Sequence, residues 1–190
     1  MIHLKTLALA AAFATTIPFS FAFAAGDAPA ASDPAPAAEV LTPKQEKARK
    51  ECKAAGHVWD KVNKKCKDPQ AGSIDQDTLY EAGREYAMEG RYNDAINVLN
   101  YAPNPQDKRV LNYLGYSYRK AGHVDVGLTY YKQALDIDPN YTLVREYLGE
   151  ALIQMGDISG AKGQLLEIKN RCKGACPEYA ELAKDLAAYN

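Results

Sequence analysis

The chain has 190 residues, with 23 Lys and Arg, 24 Asp and Glu, and a formal net charge of −1. A chain with so little net charge lacks the strongly basic composition of most nucleic-acid-binding proteins, so no nucleic-acid partner is expected.

The first 24 residues have the organisation of a secretory signal peptide. An apolar stretch begins at Leu7, and Ala22-Phe23-Ala24 has the small-x-small pattern that precedes a cleavage site. Pro18 interrupts the stretch before it reaches the length of a membrane-spanning helix. We therefore predict a signal peptide over residues 1–24, cleaved after Ala24 or Ala25. The mature chain is then periplasmic, in a Gram-negative bacterium, and has no transmembrane segment.

The chain has four cysteines, an even number that predicts disulfides in an exported protein. Of the three pairings, we predict Cys52–Cys66 and Cys172–Cys176, because each bond then stays within one segment. A zinc site is the alternative. It usually requires two closely spaced cysteine pairs, and this sequence has only one. We expect no metal and no cofactor.

Residues 25–43 are rich in Ala and Pro and predict a flexible linker. Residues 44–69 form a basic module, in which a short charged helix leads into a hairpin closed by Cys52–Cys66. From 44 to 68 there are nine Lys and Arg against four Asp and Glu, whereas from 70 onward there are thirteen against seventeen. The basic module is therefore expected to contact either the acidic remainder of the chain or an anionic polymer.

The module resembles a short C…G…WD…C unit that recurs in exported bacterial proteins. Its tryptophan, Trp59, has two interpretations. It forms the small core of the module, or it is a stacking platform that binds an anionic cell-wall polymer together with nearby lysines. The lysines in the second interpretation are Lys61, Lys64 and Lys65.

The rest of the chain repeats. Gly83, Gly115 and Gly149 are each followed seven residues later by a second glycine, with 32 and then 34 residues between successive sets. The middle unit reads Leu111-x-x-Leu114-Gly115-x-x-Tyr118, then Gly122, then Gly127-x-x-x-Tyr131-x-x-Ala134, then Pro139. This pattern resembles a tetratricopeptide repeat. The resemblance implies units at 76–107, 108–141 and 142–175, with a capping helix at 177–190.

The expected fold is therefore all-α, a three-unit helical superhelix with a C-terminal cap, preceded by a small disulfide-closed hairpin. We expect no enzymatic activity. His57 and His123 belong to no motif with the spacing of a catalytic acid, base or nucleophile.

The resemblance implies a concave groove, lined by the first helix of each unit, that binds an extended or helical segment of a partner protein. The predicted groove residues are Tyr80, Arg84, Asn112, Tyr116, Arg119, Glu146 and Glu150. They predict a mixed-charge ligand anchored by aromatic contacts, unless these side chains pair with one another. We expect replacement of Tyr116 by Ala with Arg119 by Glu to abolish binding and leave the fold intact.

Some tetratricopeptide proteins carry a lysine–asparagine–arginine clamp for a partner's C-terminal carboxylates. Here those positions are occupied by Tyr80, Arg84, Tyr113, Leu143 and Tyr147, so the clamp is absent. Two other functions stay open: binding of an anionic polymer by the basic module, and self-association through an uncapped repeat face.

Overall fold

The computed structural model describes residues 40–189. The predicted signal peptide, residues 1–24, lies outside that range, as does the predicted linker apart from its last four residues. Within 40–189, no helix combines the length and the apolarity that a bilayer crossing requires.

The N-terminal module is a helix followed by a two-stranded hairpin. Helix α1 (Pro43–Ala54) begins with a capping box, in which Thr42 and Gln45 satisfy each other's backbone amides. Strands β1 (Val58–Asp60) and β2 (Lys65–Lys67) are antiparallel, with Trp59 opposite Cys66. The Cys52–Cys66 disulfide joins α1 to β2, as predicted.

Seven helices follow within the described residues, preceded by a short 3₁₀ helix at Pro69–Ala71. The helices are α2 (Gln76–Met88), α3 (Tyr92–Leu99), α4 (Lys108–Lys120), α5 (Val124–Ile137), α6 (Thr142–Gln154), α7 (Ile158–Cys172) and α8 (Pro177–Ala187). The first six form three pairs, α2–α3, α4–α5 and α6–α7. Gly90, Gly122 and Gly156 end the first helix of each pair at φ values of +77°, +97° and +81°, which glycine adopts without strain.

In the second pair, the backbones of the two helices approach each other closely at two glycines. A Cβ added at Gly127 would lie 2.8 Å from the carbonyl oxygen of Gly115, so neither helix could approach as closely with a larger residue. In the third pair, Gly149 instead faces Leu182 of α8. The last helix thus packs directly on α6, and the Cys172–Cys176 disulfide fastens it to the end of α7.

The N-terminal module shares its core with the first helix pair. Val58 of β1 is fully buried in the same cluster as Leu79, Tyr86 and Leu99. The predicted fold class is confirmed: three helix pairs with a C-terminal helix, preceded by a disulfide-closed hairpin. The structure adds that the hairpin covers the first pair instead of standing apart from it.

Candidate functional site

Four tyrosines run across the first helices of the three pairs. Ring centroids lie 5.9 Å apart for Tyr80 and Tyr113, 6.3 Å for Tyr113 and Tyr116, and 4.9 Å for Tyr116 and Tyr147. We call these four residues the tyrosine row. Tyr80 and Tyr113 are buried, and Tyr116 and Tyr147 are partly exposed. The row is therefore continuous across α2, α4 and α6, and its accessible end lies at α4 and α6.

Two arginines contact the tyrosine row. The Nε atom of Arg84, which is partly exposed, donates to the Tyr113 hydroxyl at 3.0 Å. The Arg119 guanidinium lies 5.5 Å from the centroid of Tyr116 and 5.9 Å from that of Tyr147. Such cation–π contacts hold the ring planes in place. Burial raises the pKa of the Tyr116 hydroxyl further above its ordinary value of 10.0, and the neutral hydroxyl can donate a hydrogen bond.

Arg119 differs from the predicted groove cation because its charge is already paired. Its side chain is 1 % exposed and its Nη2 lies 2.7 Å from a carboxylate oxygen of Glu150. Its Nε donates to the Tyr131 hydroxyl at 3.2 Å. For these two predicted groove residues the structure shows the alternative left open by the sequence, because Arg119 and Glu150 pair with each other across α4 and α6. We therefore no longer expect the double replacement of Tyr116 by Ala and Arg119 by Glu to leave the fold intact, since it would bury a glutamate beside Glu150 without a basic partner.

Carboxyl groups gather beyond this pair, where α6 meets α8. Glu146 is 8 % exposed, and its pKa is raised to about 8 by burial first and then by the nearby Glu150 and Glu178. Glu178 is 2 % exposed and its Oε2 has no hydrogen-bond partner among residues 40–189. No group of His, Cys, Asp or Glu in the same range is arranged to hold a metal ion.

The predicted groove residues differ in how far the structure exposes them. Tyr80 and Asn112 are buried, and neither polar atom of the Asn112 side chain has a partner in the described part of the chain. Sequence reasoning assigned no binding role to Tyr113, Tyr147 or Glu178. Tyr113 and Tyr147 lie 34 residues apart and therefore occupy equivalent positions in two repeat units. This recurrence in the sequence could have identified both as groove residues. Glu178 lies in the last helix, outside the repeat, and no signal in the sequence points to it.

The basic module does not present its predicted polymer-binding surface. Trp59 is 6 % exposed, which favours its interpretation as core. Lys61 pairs with Glu81 of α2. Lys65 is exposed and Lys64 is partly buried. With Trp59 and Lys61 engaged, a stacking platform of these residues is not supported.

Other basic residues of the module also pair with α2. Lys53 contacts both Glu85 and Glu89, and Arg49 lies 2.6 Å from Glu85. These cations hold the pKa of Glu85 below its ordinary value, although its burial acts in the opposite direction. Of the two contacts predicted for the basic module, the structure shows the one with the acidic remainder of the chain.

A family profile described as "Tetratricopeptide repeat" matches residues 118–186. A solved structure of the first tetratricopeptide domain of Spaghetti (RPAP3), bound to an HSP90 peptide, superposes with a TM-score of 0.54 at 16 % identity. The match covers 61 % of this chain and 98 % of that one. The fold is that of a tetratricopeptide-repeat protein. No curated protein sequence matches the chain significantly.

Two further solved structures share this tetratricopeptide fold. One is the type III secretion chaperone SycD of Yersinia enterocolitica with a peptide of the translocator YopD. Its TM-score is 0.51 at 22 % identity, over 59 % of this chain and 86 % of that one. The other is PcrH with the chaperone-binding region of PopB. Its TM-score is 0.51 at 23 % identity, over 62 % of this chain and 98 % of that one. At these identities the likeness shows the tetratricopeptide fold alone.

Proposed function

We propose that the protein is an exported scaffold or adaptor that binds a segment of a partner protein in its concave tetratricopeptide groove. Its setting is the bacterial periplasm, in envelope assembly, division or secretion. The tyrosine row carries this proposal, because it joins three first helices into one aromatic surface. The peptide complexes of SycD, PcrH and Spaghetti support it by analogy of fold. No catalytic family is indicated by the comparisons.

The partly exposed tyrosines Tyr116 and Tyr147 are the proposed anchor. Aromatic side chains dominate many binding interfaces, because they bury a large area and lose little conformational freedom. Arg84 and the exposed Lys120, which lies 5.6 Å from the Tyr116 ring, supply positive charge on one side of this anchor. The carboxyl groups between α6 and α8 supply the opposite sign on the other side. A segment of mixed charge with an apolar or aromatic centre fits this arrangement.

The ligand differs from the acidic chain ends that a lysine–asparagine–arginine clamp binds. Tyrosine, arginine and leucine stand at the clamp positions, and Tyr113 and Tyr147 belong to the tyrosine row. We therefore expect an internal segment of the partner to bind, and the affinity to fall as salt screens the charges at the rim.

Photocrosslinking in cells of the source bacterium tests the groove. A photoreactive residue at Tyr116 is expected to give adducts with a specific partner, which mass spectrometry identifies. The same residue at Tyr101, an exposed tyrosine outside the row, serves as the control. Identical adducts from both positions would mean that the groove is not the binding site.

The identified partner then allows a test by substitution. Tyr116→Ala combined with Arg84→Glu should weaken its binding strongly. The control pair Tyr101→Ala and Lys132→Glu makes the same tyrosine truncation and the same reversal of charge at exposed positions, and it should leave binding unchanged. Far-ultraviolet circular dichroism and thermal melting verify that both variants fold. Sedimentation over a concentration series measures self-association, the remaining alternative.

A further inference from the structure

Asn112 and Glu178 are among the side chains that are buried with polar atoms left unsatisfied within residues 40–189. Asn112 is 0 % exposed, and neither its Nδ2 nor its Oδ1 has a hydrogen-bond partner within residues 40–189. Glu178 is 2 % exposed, and its Oε2 also has none. Such groups are rare in folded proteins, because a buried polar atom without a partner lowers stability. Each therefore points to a missing donor or acceptor.

The unsatisfied carboxyl group lies where α6 and α8 cross. A Cβ added at Gly149 would lie 2.5 Å from Leu182, so the two helices touch at these residues. Glu146 lies about one turn before Gly149, and Glu178 lies one turn before Leu182. Asp185 lies about one turn after Leu182. The negative charges of Glu150, Glu178, Glu181 and Asp185 all contribute to the raised pKa of Glu146, in keeping with their positions on the facing turns of α6 and α8.

Only two of these five carboxyl groups have a basic partner in the described part of the chain. Glu150 pairs with Arg119 at 2.7 Å, and Glu181 with Lys184 at 3.4 Å. The remaining three, Glu146, Glu178 and Asp185, we call the carboxyl cluster. Asp185 is exposed, so the cluster has an open side. Glu178 also lies in the first turn of α8, where the helix dipole favours a negative charge.

We propose that the carboxyl cluster receives a lysine or arginine side chain of the partner segment, an inference that rests on the proposed function. The N–H groups of such a side chain are the donors that Glu178 lacks, and hydrogen bonds between a charged donor and a carboxyl group are among the strong ones. Glu146 directly precedes Tyr147 of the tyrosine row, and it holds the same repeat position as Asn112, 34 residues earlier. A segment that contacts Tyr116 and Tyr147 therefore lies within one helical turn of Glu146.

The experiment uses a random dodecapeptide library displayed on phage and selected against the intact mature chain. Wild type is expected to enrich peptides that place a Lys or Arg at a constant distance from an aromatic residue. The same library is selected against a variant with Glu146→Gln and Glu178→Gln. A charge-matched control carries Asp125→Asn and Asp136→Asn, both on exposed positions of α5.

A double-mutant cycle on an enriched peptide measures how strongly the peptide's basic residue is coupled to Glu146 and Glu178 in binding. Replacing its basic residue by norleucine should weaken binding to wild type and to the control about tenfold or more. The same replacement should change binding to the Glu146→Gln, Glu178→Gln variant less than about twofold. If the norleucine replacement weakens binding equally to wild type and to the Glu146→Gln, Glu178→Gln variant, the carboxyl cluster is not the acceptor of the basic residue. Peptides that still bind through their aromatic residues would then leave the groove function standing. Failure of every variant to enrich peptides overturns both.

Discussion

At the scale of single residues, the Arg119–Glu150 pair decides how much of the groove is available to a ligand. Arg119 lies under two rings of the tyrosine row and donates to Tyr131, so its role is to position these rings. Its guanidinium is too buried to exchange Glu150 for a ligand carboxylate at low cost. The positive charge that a partner meets comes instead from Arg84 and Lys120.

Arg119→Glu should therefore destabilise the fold. The substitution places a second carboxylate beside Glu150 and removes the donor to the Tyr131 hydroxyl. We expect the free energy of unfolding to fall by about 3–5 kcal/mol, the usual effect of breaking a buried ion pair. Thermal melting measures this, with Lys120→Glu as the control for the same charge change on an exposed side chain. Equal melting temperatures for the two variants would contradict the buried pair.

Glu146 predicts a pH dependence of stability. Its pKa is about 8 in the folded chain against an ordinary value of 4.5, so the folded chain holds a proton that the unfolded chain releases. The contribution of this residue is therefore complete below about pH 4.5 and is lost as the pH rises to about 8. Glu146→Gln keeps the neutral shape at every pH. The variant should gain stability relative to wild type between pH 5 and 8, on the order of 2–4 kcal/mol.

Urea denaturation at pH 5, 6.5 and 8 measures this difference. Asp136→Asn, at an exposed position on α5, controls for general charge effects. A difference between wild type and Glu146→Gln that stays constant over this range would show that Glu146 does not retain its proton on folding.

At the scale of secondary-structure elements, close helix packing requires glycine in some repeat positions and not in others. A Cβ at Gly127 would meet the backbone oxygen of Gly115, which cannot move without separating α4 from α5. A Cβ at Gly163, on α7, would meet nothing within 4 Å. The first glycine serves packing, whereas the second only reduces the helical preference of α7.

Gly127→Ala should therefore lower the free energy of unfolding by about 1–3 kcal/mol, as overpacking does. Gly163→Ala should raise it by about 1 kcal/mol, because alanine favours the helix. Chemical denaturation measures both changes in the free energy of unfolding, and these should have opposite signs if α4 and α5 cross as closely as the structure shows. Stabilisation by both substitutions would contradict that packing.

At the scale of the whole molecule, the N-terminal module is a cap for the first repeat pair. Tyr86 of α2 donates to the backbone carbonyl of His57, and Arg91 donates to that of Lys53. Val58 of the hairpin fills the core beneath them. Deleting the module would expose this core, so loss of binding after deletion would not by itself identify a ligand site in the hairpin.

Replacing Cys52 and Cys66 by Ser should thus weaken the first repeat pair as well as the hairpin. The chain-entropy model gives a loss of about 3 kcal/mol for a ring of this length. Amide hydrogen exchange should become faster in α2. Replacing Cys172 and Cys176 by Ser should remove about 2 kcal/mol and affect α8 instead. Faster exchange confined to the hairpin in the first variant would refute its role as a cap.

The sequence by itself determined the fold class, because each repeat carries its own signals at short range. Glycines end helices, small residues mark crossings, and large residues recur at helical spacing, all within units of about 34 residues. The disulfide pairing was predictable for the same reason, since each bond closes a short segment. Tyr113 and Tyr147 were also within reach, through their equal repeat positions.

Only the tertiary structure decided which polar side chains a ligand can meet. The Arg119–Glu150 pair, the Lys61–Glu81 pair and the carboxyl groups around the α6–α8 crossing each join residues from different helices or from the hairpin. Their burial and charge depend on how the elements pack, and the local pattern that specifies each helix does not encode that arrangement. For this reason Arg119 was predicted as a ligand contact and is a buried support. Glu178 received no role from the sequence and is an unsatisfied carboxyl group at the proposed site.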